Sequence, residues 1–186
     1  MVSLPSLWLP ILLSAVLVFL ASFLLHMVLR YHHSDFSRVP AEDQVMTALG
    51  AAGVTPGEYM MPYGGGPEAM KDPAFVEKMK RGPVALLTVL PSGPPAMGAQ
   101  LAQWFVYCIA VGIAAGYIAG RAVGPGADYL SVFRFAGATA FIGYALALWQ
   151  DTIWFKRKPS TTLKQTIDGL IYALLTGGTF GWLWPG

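Results

Sequence analysis

Within ten positions the chain places His26, Arg30, His32, His33 and Asp35. Imidazole nitrogens and carboxylate oxygens are metal ligands, and His also carries protons near neutral pH. If two or three of His26, His32, His33 and Asp35 meet a carboxylate from the polar segment that follows, between the first two apolar stretches, the set suits a divalent cation or a proton site. The spacing matches no defined metal motif, and adjacent residues such as His32 and His33 leave a helix in different directions. The ordinary alternative is a wet exit from a membrane, where His and Arg face lipid headgroups.

Other reactive residues are sparse. Arg134 and Asp168 stand inside apolar stretches, where a charge is a functional hypothesis by default. Each lies near its helix end, where long side chains reach water, and Lys164 offers Asp168 a partner at i−4. Gly64-Gly65-Gly66 suggests a phosphate cradle, but Pro67-Glu68 follows where a helix start and a basic or hydroxyl residue are needed, so a flexible turn is expected. Tyr59-Met60-Met61-Pro62-Tyr63 reads as an apolar loop suited to docking. There is no nucleophile elbow, paired-His helix motif or dinucleotide fingerprint. The single Cys108 excludes an intrachain disulfide and a multi-cysteine zinc site.

The elements that would carry these residues are set by composition. Of 186 residues, 55% are hydrophobic and 12% charged, against about 25% charged in a soluble domain, which points to lipid. The net charge of +2 does not suggest nucleic acid. Four apolar stretches stand out, about 4–29, 101–120, 129–149 and 163–184. The first lacks the positive start and short core of a cleaved signal peptide and is expected to remain as an anchor. The expected fold is an all-α integral membrane protein with four transmembrane helices and a small mixed cytoplasmic cap between helices one and two. Its parts are 1–30, helix one; 31–99, cap and linker; and 100–186, a three-helix bundle. Seven of the ten acidic residues fall in the cap. There, Pro40 to Ala52 and Asp72 to Lys80 read as short helices. Val84 to Leu90 fits either a strand or an interfacial segment.

Small residues mark the packing faces. Cys108, Gly112, Gly116 and Gly120 recur every four residues, as do Gly177 and Gly181. In water each mid-helix glycine costs about 1 kcal/mol relative to Ala; in lipid this spacing lets helices approach backbone to backbone.

With the N-terminus outside, one face receives ten of the twelve basic residues, including Arg30 and Lys156-Arg157-Lys158, and the other receives Arg121 and Arg134. Both termini are therefore expected outside and the cap in the cytoplasm. The run His33-Ser34-Asp35-Phe36, with Val39-Pro40, Glu42-Asp43, Pro56-Gly57-Glu58-Tyr59 and Pro62, resembles a group of small bacterial inner-membrane proteins without an assigned activity. The resemblance implies a bacterial inner membrane and carries over no site. The first functional expectation is a non-enzymatic accessory, assembly or scaffolding subunit packed through its glycine faces, with a membrane-protein partner or a homo-oligomer. The second is a membrane enzyme or carrier using a metal or proton at the His/Asp cluster. No other cofactor is expected.

Overall fold

The computed structural model describes all 186 residues, Met1–Gly186. The chain is mostly helical and forms two compact units, one of Met1–Phe36 with Ala96–Gly186 and one of Ser37–Pro95. The stretch 31–36, grouped with the cap in the sequence reading, thus packs with the helices.

In the first unit, a 3-10 turn at Leu4–Leu7 leads into α1 (Trp8–Phe23) and a π turn at Leu24–Val28 extends it. A second 3-10 turn, Arg30–Ser34, follows. In the second unit come α2 (Glu42–Ala51) and α3 (Pro73–Arg81). Back in the first lie α4 (Gly98–Ala122), α5 (Tyr129–Tyr144), α6 (Trp149–Phe155) and α7 (Pro159–Trp182). Three stretches are long and apolar enough to cross a membrane: Leu4–Val28, Gly98–Ala122 and Tyr129–Phe155.

The third expected helix does not run unbroken from 129 to 149. It stops at Tyr144; Ala145 leaves helical geometry at φ −128° and ψ −48°, and a 3-10 turn joins it to α6. The break packs against α7, where a Cβ at Gly169 would come within 2.8 Å of the Ala145 Cβ and 3.3 Å of the Tyr144 backbone. Only a glycine admits the broken segment that close. At its other end α5 is capped by Asp128, whose carboxylate accepts from the Ser131 amide at 3.0 Å and the Ser131 hydroxyl at 2.6 Å. Those two bonds, the hydroxyl first, hold its carboxyl below the usual range.

α7 packs along α5 and against α1, and its buried face is largely small or polar: Thr161, Thr162, Asp168, Gly169, Thr176, Gly177 and Thr179. The hydroxyls of Thr176 and Thr179 donate to carbonyls one turn back, so they need no outside partner. A Cβ on Gly177 would lie 2.9 Å from the Phe133 carbonyl and 3.0 Å from the Gly137 Cα, so α5 and α7 touch backbone to backbone. Gly181 lies beneath Tyr129 in the same way. The α4 stripe is filled mainly by the first residues of the chain, from Val2 to Ile11. Gly112 faces Ile11, Gly116 faces Leu7 and Phe180, and Gly120 faces the Val2 carbonyl, with Cys108 buried on the same stripe.

In the second unit, β1 (Gly57–Met61) pairs antiparallel with β2 (Ala85–Val89), from Gly57 opposite Val89 to Met61 opposite Ala85. Tyr59-Met60-Met61, expected as loop, is strand. Its partner lies beyond α3, so no local pattern reveals the pairing. Asp72 caps α3 by accepting from the Ala74 amide at 2.9 Å. No side chain of this unit is buried.

Two glycine substitutions should act with opposite sign. Gly177→Ala forces a methyl into backbone and is expected to destabilise the helical unit by about 1–3 kcal/mol, read as earlier thermal unfolding in detergent. Gly50→Ala, in α2 with no heavy atom within 4 Å of the new carbon, should stabilise that helix by roughly 0.5–1 kcal/mol, read as slower amide exchange.

Candidate functional site

Asp168 is the most deeply buried ionisable side chain at this end of the bundle, with 3% of it exposed. It sits on the third turn of α7 in the helical unit. A carboxylate so placed must be paired, because an unpaired charge in a low-dielectric setting costs several kcal/mol. The chain meets this demand by folding back after α1. The π turn ends when the Leu29 amide bonds the Leu24 carbonyl at 2.9 Å, and Leu29 itself is extended. The following 3-10 turn then carries Tyr31 and His32 onto α7.

The Tyr31 hydroxyl donates to Asp168 Oδ1. His32 Nε2 lies 2.8 Å from Asp168 Oδ2, and its Nδ1 lies 2.7 Å from Asp35 Oδ2. One imidazole thus stands between two carboxylates. Lys164 Nζ closes the far side, donating to Asp35 Oδ1 at 2.8 Å, the Tyr31 carbonyl at 2.6 Å and the Ser34 hydroxyl at 2.8 Å. Burial works against a charged Asp35, but the bonds from Lys164 and His32 outweigh it and lower its pKa. Lys158 Nζ ties the turn down further through the Ser34 carbonyl.

His26 belongs to the π turn, a helix irregularity often found at functional sites. Its ring stacks on His32 with centroids 4.4 Å apart and planes 8° apart. Its Nε2 lies 3.8 Å from Asp168 Oδ2, and its Nδ1 lies 3.0 Å from the Ser22 carbonyl. Ser22 also accepts a bond from the Trp104 indole at 2.9 Å, which locks this part of α1 to α4.

Of the four residues singled out in the sequence, the structure brings His26 and His32 together and places Asp35 behind the His32 ring. His33 is exposed and takes no part in these bonds. Asp168, read as a helix-end charge paired with Lys164, belongs to the centre of the cluster, while Lys164 turns to Asp35 instead. Arg134 is exposed on α5 and forms no ion pair. The signal for Asp168 was its burial cost alone, since its partners lie 136 and 137 positions away. The residues of the glycine faces lie elsewhere, between helices. One turn deeper than Asp168 on α7, the Tyr172 hydroxyl is buried without a hydrogen-bond partner, as are Thr161 Oγ1 and Gln165 Oε1 on the same side of the helix. The chain matches no protein-family model, no curated protein and no solved structure.

Lys164→Met should remove the main support of the Asp35 charge and destabilise the helical unit by about 1–3 kcal/mol. The pH dependence carries the sign. A depressed carboxyl contributes stability that is full above its ordinary pKa of about 4 and lost as pH falls through the lower folded value. With Lys164 gone the folded value rises toward the ordinary one, so this acid loss should shrink and end at higher pH, measurable as thermal unfolding against pH in detergent.

Proposed function

We propose that this chain is a four-span integral membrane protein whose working part is the His32–Asp168 cluster, a proton- or metal-handling site of an enzyme or carrier at the inner interface. The observation that carries the reading is one histidine held between two carboxylates, one of them almost wholly buried on a helix of the bundle. Buried ionisable networks in membrane helices mark proton and ion chemistry more often than packing. The first expectation, an accessory or scaffolding subunit, drew on two glycine-rich helix faces and few intramembrane charges. Those faces meet α1, α5 and α7 of the same chain, so they no longer favour it.

A fourth crossing by α7 is supported by two features. Its 24 residues span about 36 Å at about 1.5 Å per residue, enough for a hydrocarbon core of about 30 Å. Its outward face presents Leu163, Ile167, Leu170 and Leu174. It is less apolar than the other three because its inward face is shielded by α1 and α5. Even numbers of crossings also suit the ends. The Val2 amide bonds the Gly120 carbonyl at 3.0 Å, and the Gly126 amide bonds the Pro185 carbonyl at 2.8 Å, so both termini share one end of the bundle. The opposite end holds Arg30, Lys158 and Lys164, and this positive charge supports a cytoplasmic side for that end in a bacterial inner membrane.

Two measurements test this. In a Cys108→Ser background, Ser3→Cys and Gly186→Cys should react with a membrane-impermeant maleimide in intact cells, and Lys80→Cys and Lys156→Cys only after lysis. Termini labelled from opposite sides would rule out four spans. In cells lacking the chain, His32→Ala and Asp168→Asn are expected to fail to restore the lost phenotype at wild-type membrane abundance. Full rescue by both would return the weight to a scaffold.

A further inference from the structure

We propose that His26 Nε2, His32 Nε2 and the Asp168 carboxylate hold one divalent transition-metal ion of the zinc class. The inference rests on the cluster being the working site and names its ligand. The three donor atoms all lie within 4.8 Å of one another. The measured separations from Asp168 Oδ2, 2.8 Å to His32 Nε2 and 3.8 Å to His26 Nε2, bracket the edge of about 3.3 Å expected for a tetrahedral ion with bonds of about 2.0–2.1 Å. Shifts of a few tenths of an ångström would equalise them.

The decisive feature is what holds the far side of each ring. His32 Nδ1 faces Asp35 Oδ2 and His26 Nδ1 faces the Ser22 carbonyl, at 2.7 and 3.0 Å. A carbonyl oxygen and a carboxylate oxygen accept and do not donate, so each Nδ1 carries the hydrogen. In the neutral ring Nε2 then presents a lone pair. Two imidazole nitrogens and a carboxylate oxygen therefore converge on one point, which a cation fills: either a proton on His32 Nε2, hydrogen-bonded to Asp168 Oδ2 at 2.8 Å, or a metal ion that displaces that proton. Metal-bound histidines are oriented in the same manner, by a carboxylate or backbone carbonyl on the second nitrogen. Lys164 in turn orients Asp35, giving the site a further layer of support.

Three protein ligands leave a fourth position for water or substrate, the pattern of catalytic rather than structural zinc. An entry path exists on the His26 side. His26 is 45% exposed and borders a groove of about 450 Å³ between α1 and α4, lined by Phe19, Phe23, Leu101 and Trp104 among others. Two imidazoles and one carboxylate also suit iron(II), but zinc and cobalt(II) are the cleaner probes.

The test uses the full chain, purified in detergent, stripped with chelator and titrated with zinc, with cobalt(II) as a spectroscopic probe. One ion per chain is expected, with a visible cobalt band of low-coordinate type. His26→Ala should abolish binding or weaken it at least 100-fold; its ring is half-exposed, so folding should survive, checked by the thermal unfolding midpoint. Asp35→Asn should weaken binding about 10- to 100-fold through His32 orientation. His33→Ala should change nothing. Folded wild-type chain that takes up no stoichiometric zinc or cobalt at micromolar concentration overturns the metal, as does binding that survives His26→Ala. If that happens while His32→Ala still abolishes rescue, the cluster stands as a proton site, with a proton on His32 in the place of the ion. If rescue survives, the functional reading falls independently of metal content.

Discussion

The buried carboxylate of Asp168 constrains everything at its end of the bundle. Leaving it unpaired among helices would cost several kcal/mol, a large share of the stability of a small protein. Its partners come from the turn after α1, so that turn has to fold back. The fold-back needs the helix to end at Leu29 and the next residues to coil tightly from Arg30 to Ser34. Once His32 is in place its other nitrogen needs an acceptor, and Asp35 supplies it. Asp35 is then a second sheltered carboxylate, and Lys164 answers it from the same helix that carries Asp168. Each polar group creates the requirement that the next one meets, and the network closes on α7. Such closure is costly to disturb at any member.

α7 can bear this polarity because the rest of the bundle encloses it. Gly137 and Gly177 bring α5 into backbone contact, and Gly169 lets the broken end of α5 press against it. Threonines on the buried face spend their hydroxyls on their own helix. The helix that is least suited to lipid by composition is thus the one most thoroughly wrapped by other helices, while α1 and α4 carry the broad apolar surfaces. The glycine stripe of α4 serves the same end. It draws the start of α1 in at Ile11, Leu7 and Val2, and so fixes the line along which α1 approaches α7 and His26 reaches Asp168.

The second unit follows different physics. With no buried side chain it is held by a two-stranded ladder, by the Asp72 cap of α3, and by turns at glycines such as Gly53 and Gly82, whose φ values of +69° and +62° exclude most other residues. Apolar side chains such as Met46, Tyr63, Met70 and Leu90 stay exposed there, whereas the helical unit buries a linked set of ionisable groups around Asp168.

What the sequence determined by itself was whatever depends on neighbours a few positions apart. Apolar length marked stretches able to cross a membrane; four-residue spacing set the small faces at Cys108 to Gly120 and Gly177 to Gly181; Asp72-Pro73 and Gly82 marked the limits of α3. The site was legible only in part. His26, His32 and Asp35 stood out because they crowd together, yet His33 stood out equally, and nothing local separates the histidine facing α7 from the one facing outward. Only the tertiary structure could decide that, because the choice depends on the direction of a turn set by a carboxylate 136 positions away. The same holds for β1 and its partner beyond α3, and for the break at Tyr144, which packs against Gly169. Helical and turn preferences act over a few residues, whereas the pairing of a buried charge is settled by whichever groups the packed chain brings within hydrogen-bond reach.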